Sequence, residues 1–128
     1  MKIYFPGGRR INAEYKGYTI ETDQSTRSGG EGLHPNPLDL FKASLGTCIG
    51  YYVMCFCLER EIPLDWVHLE VDFQEDGVIE TVGVQIVVDP QFPEKYLCPI
   101  VKATESCKIK KQLIHPPAYE IDAVYAEG

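Results

Sequence analysis

One segment constrains this chain more than any other. From Pro37 to about Glu61 the residues Leu38, Phe41, Leu45, Cys48, Tyr52, Cys55 and Glu59 step by three or four, the spacing of an α-helix. Asn36 suits the N-cap and Pro37 the first helical position, and Pro63 closes the segment. The apolar residues do not keep to one stripe. Leu40, Phe41, Ala43, Leu45, Ile49, Tyr51, Tyr52, Val53, Met54, Phe56 and Leu58 cover most of the circumference, and a helix apolar all round must be enclosed. Unbroken, the segment is about 37 Å long, against a radius of gyration near 14 Å for a compact chain of this size. One small sheet cannot cover both sides of it, so the expectation is a homodimer whose second copy covers the remaining face. Gly46 and Gly50 leave room for a kink or a close backbone approach.

The elements around this helix are short. Ile11–Tyr15 and Tyr18–Thr22 alternate apolar and polar residues about Lys16-Gly17, which predicts a hairpin. Residues 24–37 hold four of the usual turn-forming residue types and read as a long irregular loop. Trp66–Phe73 and Val78–Val88 are strands joined by an Asp76-Gly77 turn. Phe92-Pro93-Glu94 opens a second helical stretch. Cys107 stands at a break, with Ser106 as a candidate N-cap for a short helix Lys108–Leu113, and Tyr119–Tyr125 reads as a last strand. The order is that of an α+β fold with a largely antiparallel sheet, and 128 residues allow a single domain, 1–128.

Charge and cysteine usage narrow the function. Twelve Lys and Arg against 19 Asp and Glu leave a net charge of −7. Nucleic acid and anionic membrane surfaces both require a basic footprint, so neither is an expected partner. The N-terminal stretch lacks the apolar core of a signal peptide, and the richest apolar run, Leu45–Leu58, fits a buried helix rather than a membrane span. A cytoplasmic location and free thiols follow as expectations for the five cysteines. Cys48 and Cys55 share a helix face at about 10 Å separation, beyond disulfide reach. Cys57 points elsewhere and Cys98 reads as packing. No ligand spacing involving His34, His68 or His115 suggests a metal. Cys107, followed by Lys108, Lys110 and Lys111 at a predicted helix start, has the surroundings that stabilise a thiolate.

Two boxes carry a resemblance. Asn36-Pro37-Leu38-Asp39-Leu40-Phe41-Lys42-Ala43-Ser44-Leu45-Gly46-Thr47-Cys48, followed much later by Ala103-Thr104-Glu105-Ser106-Cys107, resembles the OsmC/Ohr family of osmotically inducible and organic hydroperoxide resistance proteins. The element order agrees over essentially the whole chain. The resemblance implies an OsmC-like fold, a mostly antiparallel sheet wrapped around a long central helix in an intertwined homodimer. It further implies a cysteine-based reductase of organic hydroperoxides with no bound cofactor. Cys48 would be the peroxidatic thiolate and Cys107 the resolving thiol, and an external dithiol, possibly dihydrolipoyl, would restore both.

The sequence departs from the hydroperoxide-reductase branch in one place. That branch places a Glu ten residues before its cysteine, in partnership with an Arg; here the position is Leu38. Asp39 is the nearest acid, and it also suits the first turn as a favourable charge for the helix dipole. Gly7-Gly8-Arg9 resembles the family's arginine motif, with Arg27 of the long loop as the competitor. Two other readings stand beside the peroxidase: an OsmC-like redox sensor or thiol-binding protein without fast turnover, and a hot-dog-type thioesterase. The last would need an acid or histidine near the helix start and no cysteine pair.

Overall fold

The computed structural model describes residues 1–127. Its contacts gather into two units, Met1–Thr47 and Cys48–Gly128, where the sequence reads as one domain. In the first unit, β1 (Lys2–Gly7), β2 (Arg10–Tyr15) and β3 (Tyr18–Thr22) form an antiparallel sheet in that order. Lys16 and Gly17 both take positive φ, 51° and 81°, the two-residue turn whose twist matches that of the strands. The turn fixes the register from Tyr15↔Tyr18 to Ile11↔Thr22. Strand β1 was not anticipated. It pairs with β2 through an irregularity between Tyr4 and Gly7, a stretch whose Pro6 and Gly7 disguise it in the sequence.

The long loop after β3 is organised by a buried carboxylate. Asp23, only 1% exposed, accepts hydrogen bonds from the N–H of Gln24 at 2.7 Å and of Leu33 at 3.2 Å. Burial pushes its pKa up, but these bonds, a further one from Glu31 and the charge of Arg10 outweigh it and hold the group ionised below its usual range. At Gly30 an added Cβ would lie 2.0 Å from the carbonyl oxygen of Gln24, so only glycine fits that turn of the loop.

Helix α1 (Pro37–Glu59) starts and stops on identifiable signals. The Asn36 Oδ1 accepts from the Asp39 N–H at 2.8 Å while the Asp39 Oδ2 accepts from the Asn36 N–H at 3.1 Å, a reciprocal capping box. At the other end Glu61 takes φ 55°, and the N–H groups of Glu61 and Ile62 return to the carbonyls of Leu58 and Cys57. This is a Schellman motif with Glu in the usual glycine position, and the buried Ile62 and Cys57 belong to one cluster beneath it.

In the second unit, β4 (Val67–Asp76) and β5 (Val78–Val88) pair antiparallel about Gly77, whose φ is 76°. Helices α2 (Leu97–Ala103) and α3 (Lys108–Ile114) follow. The core is built from Val53, Phe56 and Cys57 of α1 with Ile62, Phe92 and Ile100, and Trp66, Leu69, Ile86 and Tyr96 close over it.

Two features fall outside this packing. The stretch Tyr119–Tyr125, expected as a strand, forms none: Tyr119, Ile121, Val124 and Tyr125 are 81–101% exposed. A strand exists only through a neighbour's hydrogen bonds, and neither sheet of this chain takes the segment as one. Helix α1 is also left largely uncovered. Only 28% of its most apolar window is buried, and by length and composition alone it is apolar enough to cross a membrane. Tyr51 and Leu58 are more than half exposed, and Met54 is exposed between them.

Candidate active site

The site is built on the break between α2 and α3. Helix α2 gives way to one tight turn, Thr104–Ser106, and Cys107 then turns to φ −54°, ψ 117°, out of helical conformation. Lys108 begins α3, so Cys107 is its N-cap, while Ser106, the expected cap, lies in the preceding turn. The first N–H groups of a helix have no acceptor within it. Here the Cys48 sulfur, projecting from α1, accepts hydrogen bonds from the N–H groups of Ile109 and Lys108, and the thiol of Cys107 stands in hydrogen-bond contact with the same atom.

The two thiols are driven in opposite directions. The N–H of Ile109 is the strongest influence on Cys48. Against the opposing effect of burial, it acts with the Cys107 thiol, the N–H of Lys108 and the Lys108 charge to hold Cys48 below the ordinary thiol range. Cys107 is fully buried, and burial pushes it above that range; the neighbouring Cys48 adds to the rise, and the N–H groups of Lys110 and Ile109 offset part of it. The sequence reading attached the helix start and the lysines to a Cys107 thiolate. The structure corrects this: those groups serve mainly Cys48, because Cys107 has turned inward at the cap and Cys48 occupies the space in front of the turn.

The structure thus brings Cys48 and Cys107 together within the second unit. Arg9 and Asp39 belong to the first. Arg9 lies beside Gly29, where a Cβ would come 3.5 Å from its Nε; Arg27 sits in the short turn Thr26–Ser28; the Asp39 carboxylate is engaged in the helix cap. Leu38 is 46% exposed. Of the remaining cysteines, Cys57 is fully buried in the core and its thiol is raised by burial, while Cys55 is half-buried against the Tyr51 hydroxyl. Cys98 is exposed rather than packed, a second correction; Pro99 and Lys102 flank it on a short surface helix. Among the described residues no group of three or more His, Cys, Asp or Glu is placed to hold a metal ion. The sequence reading missed Lys108 and the Ile109 N–H as partners of Cys48. The signal was present in the break at Cys107, but only the fold shows which sulfur faces the freed groups.

A thiolate is the reactive form, so a depressed pKa keeps Cys48 reactive at lower pH. Lys108→Met removes the one charge among the groups responsible. The rise of Cys48 alkylation by iodoacetamide with pH, followed by peptide mass spectrometry, should move to higher pH in this variant, with a slower rate at pH 7. An unchanged profile would show that the Lys108 charge does not act on Cys48.

A family model described as OsmC-like protein matches residues 29–122. Among solved structures, the chain is similar to a protein from Psychrobacter arcticus 273-4, provisionally assigned as an osmotic stress induced and detoxification response protein. The two are 22% identical with a TM-score of 0.74, over 90% of this chain and 87% of that one. It is also similar to a protein from Legionella pneumophila described as an organic hydroperoxide resistance protein OsmC, predicted redox protein, regulator of sulfide bond formation. There the identity is 22% and the TM-score 0.58, over 88% and 85% of the two chains. No curated protein matches the sequence. The family match spans most of the chain, both cysteine boxes included apart from the segments before residue 29, and on that ground the chain belongs to the OsmC family.

Proposed function

We propose that the protein is a thiol peroxidase that reduces organic hydroperoxides through Cys48 and Cys107. The observation that carries this reading is the asymmetric thiol pair: one sulfur held below the ordinary thiol range by backbone N–H groups, the other pushed above it by burial beside the first. Family membership and the Legionella protein's description as a hydroperoxide resistance protein support the choice of substrate.

The chemistry follows from the pair. The Cys48 thiolate attacks the distal peroxide oxygen; the O–O bond breaks, the alkoxide leaves with a proton as alcohol, and Cys48 becomes a sulfenic acid. The Cys107 sulfur then attacks the Cys48 sulfur. A disulfide forms, and the sulfenic oxygen leaves as water with the proton that Cys107 carried. An external dithiol, dihydrolipoyl in the family's characterised members, returns two electrons by thiol–disulfide exchange. Leu38 stands where the hydroperoxide-reductase branch has its Glu, and the Asp39 carboxylate is engaged in the helix cap. All five cysteines are free, which suits a reducing, cytoplasmic compartment.

The working form in this reading is a homodimer. The uncovered face of α1, with Tyr51, Met54 and Leu58 exposed, and the unpaired Tyr119–Tyr125 segment are both surfaces that a second copy would cover. Sedimentation equilibrium should give twice the 14.4 kDa of one chain. The mass of a single chain would remove the dimer from the account.

Steady-state consumption of cumene hydroperoxide with a dithiol tests the activity. Cys48→Ser should reduce it to the rate of the dithiol alone. Cys107→Ser should leave the first step intact and accumulate a sulfenic acid on Cys48 that dimedone traps. Full consumption by Cys48→Ser would refute the peroxidase. One observation favours a second reading, a slow redox sensor: the family's Glu position is Leu38, and Asp39 is committed to the cap. That reading predicts the dimedone adduct with turnover no faster than a free thiol gives.

A further inference from the structure

A second pair of thiols, Cys55 of α1 and Cys98 of α2, is not used by the peroxidase reading. A groove of about 480 Å³ runs between α1 and α2, and both Cys55 and Cys98 line it. Its floor is apolar, with Phe56, Pro99 and Ala103. Its rim carries the cations Arg60 and Lys102 against one carboxylate, Glu59, which is itself 3.7 Å from the Arg60 guanidinium. A groove with surplus positive charge is unusual on a chain of net charge −7 and selects for anionic ligands.

The groove is presented as a site. The Arg60 guanidinium lies 3.6 Å over the Phe56 ring, 5.4 Å from that of Tyr96, and donates to the Phe56 carbonyl at 3.1 Å, so its position is fixed rather than left to solvent. Lys102 follows Cys98 by four residues on α2 and projects from the same side. The two thiols differ in access. Cys55 is half-buried and hydrogen-bonded with the Tyr51 side chain, whereas Cys98 is exposed. Cys98 and Lys102 lie on α2, and at 100° per residue Tyr52 and Glu59 stand about a quarter-turn or more around α1 from the Tyr51–Met54–Leu58 face that a second copy would cover, with Cys55 at its border.

We propose that this groove is a thiol-modification site, at which Cys98 forms a mixed disulfide with a small carboxylate-bearing thiol. The oxidised reagent is a low-molecular-weight disulfide of that class. The Cys98 thiolate attacks one of its sulfurs; the new S–S bond forms as the old one breaks, and the other half leaves as a thiolate that takes up the proton Cys98 released. No net electrons are consumed. The apolar floor receives the thiol's aliphatic part and the Arg60–Lys102 rim its carboxylates.

The probe is oxidised glutathione, compared with neutral hydroxyethyl disulfide and cationic cystamine. The protein is the full chain with Cys48→Ser and Cys107→Ser, which silences the peroxidase pair and keeps failure here distinct from failure of that reading. Peptide mass mapping should find a single glutathionyl group on Cys98. The rate ratio of oxidised glutathione to cystamine should fall roughly two- to tenfold in Lys102→Gln, the effect of one or two exposed ion pairs. Arg60→Gln should lower the ratio too, and Lys102→Gln carries the test if loss of the Arg60 stacking unfolds the chain. Modification at Cys55 or Cys57 instead, an unmodified Cys98, or a ratio that Lys102→Gln leaves unchanged would overturn the proposal.

Discussion

The structure depends on enclosing α1. A 23-residue helix with apolar side chains around most of its surface has no stable existence in water by itself. Each later element is placed where it covers part of that surface or supports something that does. Val53, Phe56 and Cys57 are covered by Phe92 and Ile100, with Tyr96 edge-on to Phe56 at 5.7 Å. The Schellman motif at Glu61 turns the chain so that Ile62 falls back on the same cluster. What one chain cannot cover is equally telling. The exposed Tyr51, Met54 and Leu58 are the part of α1 that the same requirement leaves unsatisfied.

The candidate site is a by-product of that enclosure. A single uninterrupted helix over residues 97–114 would have spent its amide groups on its own carbonyls. The break at Cys107 frees the first N–H groups of α3, and the covering of α1 brings them to the Cys48 sulfur. One backbone turn therefore does two things: it stabilises negative charge on Cys48, and it buries Cys107 beside it where ionisation is disfavoured. Backbone donors survive every substitution except proline, so the lowering of the Cys48 thiol does not depend on an acid at position 38, which here is Leu38.

Much of this was legible in the sequence wherever the signal was local. Lys16-Gly17 and Asp76-Gly77 announce their turns, Asn36-Pro37 announces the start of α1, and Cys107 marks the break. The failures are non-local. Strand β1 forms because β2 offers an edge to it, not because residues 2–7 alternate. The stretch Tyr119–Tyr125 does alternate, yet neither sheet takes it as a strand, and alternation alone does not make one. The role of Asp39 was recoverable, since an acid three residues after Asn36 is half of a capping box. The ordering of the thiols was not. The residues place Cys107 alone at a helix start with lysines after it, but which sulfur faces the amides and which is buried depends on packing between α1 and α3.

The central claim is that Cys48 and Cys107 form one redox unit while Cys55, Cys57 and Cys98 lie outside it. Addition of one equivalent of organic hydroperoxide to the reduced protein, blocking of the remaining thiols and non-reducing peptide mass mapping test it directly. The account predicts a Cys48–Cys107 disulfide with the other three cysteines blocked as free thiols. Recovery of both Cys48 and Cys107 as free thiols, or linkage of either to a different cysteine, would contradict it.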